Sequence, residues 1–196
     1  MTSRMQEQKE NKKQSLMAAA NKLFMEKGVS KTSIDDIVHM AKVAKGTFYL
    51  YFHDKTDLQQ ALILKICTQV LNEAYDAVEP NATGDFIEDL IAFIDYIIEL
   101  FKRDRMVLKL IERNFSWPMV AQELYNGSDP LWQKLLSVLK NSPPAAGRSD
   151  DELFKMVFVI VEMCGSICYS SIIEGNPDTI DNMKPILYTI IRKALA

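Results

Sequence analysis

The chain has 196 residues, 48% apolar and 25% charged, which is enough to bury a sizeable core and too apolar for a disordered polymer. Three cysteines without a pairing framework exclude a disulfide-built fold and lead us to expect a reducing, cytoplasmic setting. The net charge of −3 hides an asymmetry: ten Lys/Arg against seven Asp/Glu over residues 1–58, and thirteen against nineteen over 59–196. A basic N-terminal module on an acidic body is the pattern of a chain that meets phosphates at one end.

The opening stretch MTSRMQEQKENKKQ is polar and has no apolar leader run. No segment comes near the roughly 18 unbroken apolar residues of a membrane span, so no membrane partner is expected. Period-2 alternation is absent while apolar spacing of three and four recurs throughout, so the predicted fold class is all-α.

In chain order, Leu16, Ala19, Ala20, Leu23 and Phe24 put one apolar stripe on a predicted helix from Lys9 to Lys27, closed by Gly28. A second helix is expected to start at Thr32 as N-cap with Asp35 three residues on, burying Ile34, Ile37, Val38 and Ala41. After a break at Lys42 and Val43, a short third helix begins near Ala44, with Phe48 and Phe52 facing inward. Asp54 caps a long fourth helix that continues through Leu58, Leu62, Ile66, Val70 and Ala74.

The third helix concentrates the chemistry. Gly46 removes bulk where a duplex would approach, Lys45 can reach phosphate or guanine, and Thr47 and Tyr49 can meet phosphate or a thymine methyl. Tyr51 and His53 point toward the adjacent backbone. Lys55 joins its charge to the free N–H groups of a helix start, and Thr32 and Ser33 offer the same chemistry to the second helix. Any one of these would be ordinary packing or a solvated charge. Together, in this order, they describe a recognition helix with a supporting helix crossing the backbone.

The segments LMAAANKLFMEKG, TSIDDIVHMAKVAKGTFYLYF and DKTDLQQAL, spanning residues 16–62, resemble the DNA-binding region of the TetR family of bacterial transcriptional regulators. Two positions depart from that pattern: Lys42 stands where the family often has Gly, and Val38 where it often has Ala. Lys42 is therefore expected to adopt a turn that avoids positive φ. The resemblance implies a helix-turn-helix head over residues 1–54, joined by the long fourth helix to a ligand-binding and dimerisation domain over 55–196. It further implies an effector pocket whose occupation changes the spacing of two heads on a palindromic operator.

Beyond Pro80–Gly84, helices are predicted around Phe86–Phe101, Met106–Phe115, Trp117–Tyr125 and from Pro130, followed by a loop over 141–149. Ser149 and Glu152 form a capping box for a helix from Asp150 to about Glu174, apolar around most of its girth. Such a helix needs cover on every side, and a second copy of the chain is its natural partner. With a last helix over about 179–195, kinked by or starting at Pro185, it is read as half of an intersubunit four-helix bundle. Expected pocket residues are Phe93, Tyr96, Ile97, Phe115, Trp117, Tyr125, Met163 and Tyr169, with Arg113, Asn114 and Glu162 as polar anchors for a small apolar or amphipathic effector.

Both histidines lie in the first 54 residues, and no Gly-rich phosphate loop occurs, so no enzyme site, metal or cofactor is expected. Cys164 and Cys168, one turn apart, read as small apolar residues. The leading functional reading is a ligand-responsive repressor acting as a homodimer. Two others are carried beside it: a helical co-activator or adaptor with a vestigial head, and a thiol-based redox regulator.

Overall fold

The structure is a computed structural model that describes residues 2–127 and 129–196; the side chains of residues 2–6, 113, 114, 119 and 126 lie outside the description. The described residues form ten α-helices and contain no strand. The chain divides into two compact units, residues 1–63 and 64–196.

In the first unit, α1 spans Thr2–Lys27, starting seven residues before the predicted Lys9. Residues 7–12 are polar and exposed, so apolar periodicity could not report this end of the helix. Leu16, Met17, Ala19, Ala20, Leu23 and Phe24 are buried along the other half. Gly28 ends the helix at φ 82°, its N–H donating to Phe24 O at 3.0 Å.

Helix α2 spans Ile34–Met40, and its N-cap is Ser33 rather than the expected Thr32. The capping box is Ser33 with Asp36, one residue later than the sequence reading placed it. Asp36 sits where it receives the Ser33 N–H at 2.8 Å, while the Thr32 hydroxyl turns inward to donate to Gly28 O at 2.8 Å. Two adjacent hydroxyls followed by two adjacent aspartates made the registers equivalent on paper. Burial decided between them.

The turn after α2 also departs from expectation. Lys42 has φ 56°, the left-handed conformation it was expected to avoid. The reason is a Schellman arrangement: Val43 N–H reaches Val38 O at 3.0 Å and Lys42 N–H reaches His39 O at 3.2 Å. Those bonds close the end of α2 and hold a non-glycine residue in a conformation that costs about 1–2 kcal/mol.

Helix α3 spans Lys45–Tyr49, and α4 spans Lys55–Val78. Asp54 caps α4 by accepting the Asp57 N–H at 2.9 Å, and Asp57 returns a bond to His53 N–H at 2.8 Å. Phe48 and Phe52 are buried as expected, ring centroids 5.7 Å apart, with Ile37, Leu58, Leu62 and Ile63 completing the core of this unit.

The second unit contains the C-terminal part of α4, then α5 (Phe86–Arg103), α6 (Arg105–Asn114), α7 (Trp117–Asn126), α8 (Pro130–Lys140), α9 (Asp150–Cys168) and α10 (Ile180–Leu195). Aspartates 85, 104 and 129 cap α5, α6 and α8, each accepting first-turn N–H groups. The 141–149 loop contains a 3₁₀ turn at Pro143–Ala145, with Ser142, Pro144 and Ala145 buried. Ser149 and Glu152 form the expected capping box. The helix then changes to π geometry over Tyr169–Glu174 before Gly175 ends it at φ 71°.

Helix α10 runs through Pro185, which neither starts nor ends it. It packs on α5 and α9, burying Leu187 and Ile191. A polar seam ties α10 to α5. Lys184 contacts both Asp95, at 2.7 Å, and Glu99. Lys102 bridges Glu99 at 2.9 Å and Asp181 at 2.7 Å, and Arg192 grips Glu88 with two bonds of 2.7 and 2.8 Å.

Helix α9 is less enclosed than its composition implied. Asp150–Glu174 is long and apolar enough to cross a membrane by length and composition, yet only 17% of its most apolar stretch is buried. Three acids in its first turn and Glu162 in its middle interrupt the apolar surface. Val159 on α9, with Ile186 and Ile190 on α10, leaves large aliphatic side chains uncovered in the single chain.

Candidate nucleic-acid interface and effector cavity

On α3, alternate jobs fall to adjacent residues. Phe48 is fully buried and Tyr49, its neighbour, is 53% exposed, the two rings meeting edge to face at 5.3 Å. Phe48 therefore anchors the helix while Tyr49 presents a phenol to solvent. Gly46 is also on the outer surface, and a Cβ built there would meet nothing within 4 Å. No packing inside the unit calls for glycine at this position.

The remaining candidates separate into outward and inward groups. His53 has a side chain 93% exposed, with Nδ1 3.5 Å from Asp54. Ser33 is exposed, though its hydroxyl is engaged with Asp36; Thr47 and Tyr51 are half-buried. Lys45 is exposed but paired with Asp35 at 2.8 Å, and that pairing raises its pKa. A phosphate would have to compete for it. Asp36 is held well below the usual carboxylate range, first by the hydrogen bond from Lys27 and then by those from Ser33.

Two candidates turn inward. Thr32 is only 2% exposed, so its hydroxyl serves the α1–α2 junction and cannot reach a duplex. The Lys55 ammonium donates to Val29 O and Thr32 O, both at 2.8 Å, and so clamps the same junction instead of lying free for phosphate. Sequence reasoning also missed an outward residue. Leu50, just after α3, is 76% exposed beside Tyr49. A leucine flanked by aromatics reads as core, and only its place at the end of α3 shows otherwise.

The second unit contains a half-open cavity of about 750 Å³, walled by α4 through α9 and by Leu195. Of the expected pocket residues, Phe93, Ile97, Phe115, Trp117 and Glu162 line it. Tyr96, Tyr125, Met163 and Tyr169 do not. The Tyr96 hydroxyl is bonded to Glu73 at 2.9 Å, and that of Tyr125 donates to Asp150 O at 3.2 Å, so both point to other partners. Arg113 and Asn114 have side chains outside the described residues.

The residues missed in the wall include Cys67, Leu71 and Tyr75 of α4, Trp132 of α8 and Phe154 of α9. Trp117, Phe115 and Phe154 form an aromatic cluster with centroid distances of 5.0 and 5.8 Å from the indole. The Trp117 indole N–H donates to the Glu162 carboxylate. All three cysteines border the cavity. Burial pushes their thiols up, Cys67 and Cys168 to about 12 and Cys164 to about 11. No cluster of three or more His, Cys, Asp or Glu that could hold a metal ion occurs among the described residues.

A short outward-facing helix anchored by one phenylalanine, supported by a capped helix before it, is the structure of a helix-turn-helix DNA-binding protein. Comparison with known proteins gives the narrower assignment. Residues 16–62 match the bacterial regulatory proteins of the tetR family. It is similar to the HTH-type transcriptional regulator YvdT of Bacillus subtilis, at 25% identity across 97% of this chain and 98% of that protein.

Its fold is similar to that of a TetR-family transcriptional regulator from Streptomyces coelicolor, with TM-score 0.66 and 18% identity over 94% of this chain and 99% of the other. It is also similar to the transcriptional regulator FadR from Bacillus subtilis in complex with stearoyl-CoA, with TM-score 0.54 and 19% identity over 91% and 96% of the two chains. These relatives and neighbours are transcriptional regulators and not enzymes, and this chain is a DNA-binding transcriptional regulator.

Proposed function

We propose that this regulator is a cytoplasmic, ligand-responsive repressor that binds a palindromic operator as a homodimer. The observation that carries the DNA contact is the pairing of a buried Phe48 with an exposed Tyr49 on one short helix. Residues 1–54 supply the DNA-binding domain, with Ser33, Lys45, Gly46, Thr47, Tyr49, Tyr51 and His53 at the duplex. Leu50 joins them, placed to meet a sugar or a thymine methyl. Residues 55–196 bind the effector and the second copy.

The dimer reading is supported by the uncovered Val159, Ile186 and Ile190 on the last two helices. A second copy pairing there would bury them without any membrane. Two heads then address half-sites about 34–36 Å apart, one turn of the duplex. An effector releases the operator only if it favours a conformation in which that spacing is lost. Opposing the redox alternative, thiols with raised pKa values stay protonated at neutral pH and react slowly.

The test is duplex binding as a function of salt, using fragments selected from random DNA. The expected result is a steep linear fall of log affinity with log salt, from release of counterions at the neutralised phosphates. A flat profile, or no selected fragment, sinks the repressor reading and favours an adaptor with a vestigial head.

A further inference from the structure

We propose that the cavity of the second unit selects a lipophilic cation, held between aromatic faces and the carboxylate of Glu162. This rests on the reading of the cavity as the effector site and adds the chemical class of its occupant. Every charged residue in the described wall is an acid: Glu79, Asp89, Glu112 and Glu162, among otherwise apolar and aromatic side chains. The Arg113 side chain lies outside the description, and the charge-matched probes below decide the sign without it.

The four acids are not equivalent. Asp89 is engaged by the N–H and hydroxyl of Thr83 and the N–H of Gly84, so it braces the loop before α5. Glu162 differs, because its one partner among the described residues is the neutral indole N–H of Trp117. That bond orients the carboxylate and leaves its negative charge uncompensated by the indole, with further lone pairs available. Phe115 and Phe154 flank the same indole. An aromatic wall beside an oriented carboxylate attracts a weakly hydrated cation through both the ring quadrupoles and the charge.

The same wall already holds an ammonium group by this chemistry. Lys134 Nζ lies 3.9 Å from the centroid of Tyr75 and 3.6 Å from Glu79 Oε1, and both Tyr75 and Glu79 border the cavity. A long acyl chain ending in phosphates, as in the stearoyl-CoA complex of the FadR neighbour, would fit the apolar interior but set its anionic end against these acids.

Calorimetric titration of the full chain with tetraphenylphosphonium and tetraphenylborate, which share a shape and differ in sign, tests the proposal. The phosphonium is expected to bind at least tenfold more tightly than the borate. Glu162→Gln should weaken the phosphonium about tenfold and leave the helical circular dichroism unchanged. Binding of the borate or of stearoyl-CoA as tight as the phosphonium, or no phosphonium binding, overturns the class, as does an indifferent and folded Glu162→Gln.

DNA release, measured separately, keeps the two readings apart. Phosphonium that binds without releasing a selected fragment refutes the effector role alone. Release by stearoyl-CoA in the absence of phosphonium binding refutes the cation alone.

Discussion

The two units use aromatic residues in opposite ways. In the first, one ring is buried so that the next can face outward: Phe48 locks a five-residue helix and Tyr49 is displayed. In the second, rings from separate helices converge around a half-open cavity, and the purpose of each depends on partners far away in the chain. The comparison teaches that an outward-facing surface on a short helix is built by local contrast. A cavity is built by long-range agreement.

The largest effect expected is at the anchor. Phe48→Ala should destabilise the first unit by about 3–5 kcal/mol, because a fully buried ring leaves a cavity in a small core. Chemical denaturation should show the N-terminal unit unfolding ahead of the C-terminal one. If the unit keeps its stability, the anchor-and-display contrast is wrong.

Next, Tyr49→Ala should lower duplex affinity more than tenfold, at least about 1.4 kcal/mol, while thermal unfolding and oligomeric state stay unchanged. Fluorescence anisotropy on a selected fragment measures this; full affinity in the variant removes Tyr49 from the interface. Lys42→Gly sharpens the same comparison from the backbone side. Relief of the left-handed lysine should stabilise the first unit by up to about 1 kcal/mol, readable as a higher denaturation midpoint.

The smallest effect is in the second unit and depends on pH. Glu99 is held below its ordinary pKa by hydrogen bonds from Lys184 and Lys102. Burial acts to raise Asp95, but the bonds from Lys184 and Tyr188 outweigh it and leave its pKa lowered. Unfolding therefore takes up protons at these carboxylates as the pH falls past about 4, so their stabilisation is present at neutral pH and lost in acid. Lys184→Met should lower the melting temperature by a few degrees at pH 7, with the difference narrowing toward pH 3. A constant difference across that range would remove the α5–α10 seam as its source.

The sequence made the first unit legible nearly residue by residue, because its signals are short-range: a capping pair, a terminal glycine, and phenylalanines four apart. Its errors were also local. Thr32 and Ser33 competed for one cap, and Lys42 took the conformation of the glycine it replaces. Lys55 read as a free charge because the carbonyls of Val29 and Thr32 come to it from more than twenty residues away.

In the second unit, periodicity gave the helices but not which face meets which neighbour. Tyr96 and Tyr125 looked like pocket residues until their hydroxyls were found on Glu73 and Asp150. Helix α4 was read as a connector, although Cys67, Leu71 and Tyr75 recur at the spacing of a lining face, a signal that was present and unused.

The two tryptophans of the chain, Trp117 and Trp132, both border the cavity of the second unit, one bonded to Glu162 and the other to Thr68 Oγ1 at 3.1 Å. Indole emission from this protein therefore originates wholly at that place. An unlabelled sample in a fluorimeter reports whether the hollow is filled, with no contribution from the end that meets DNA.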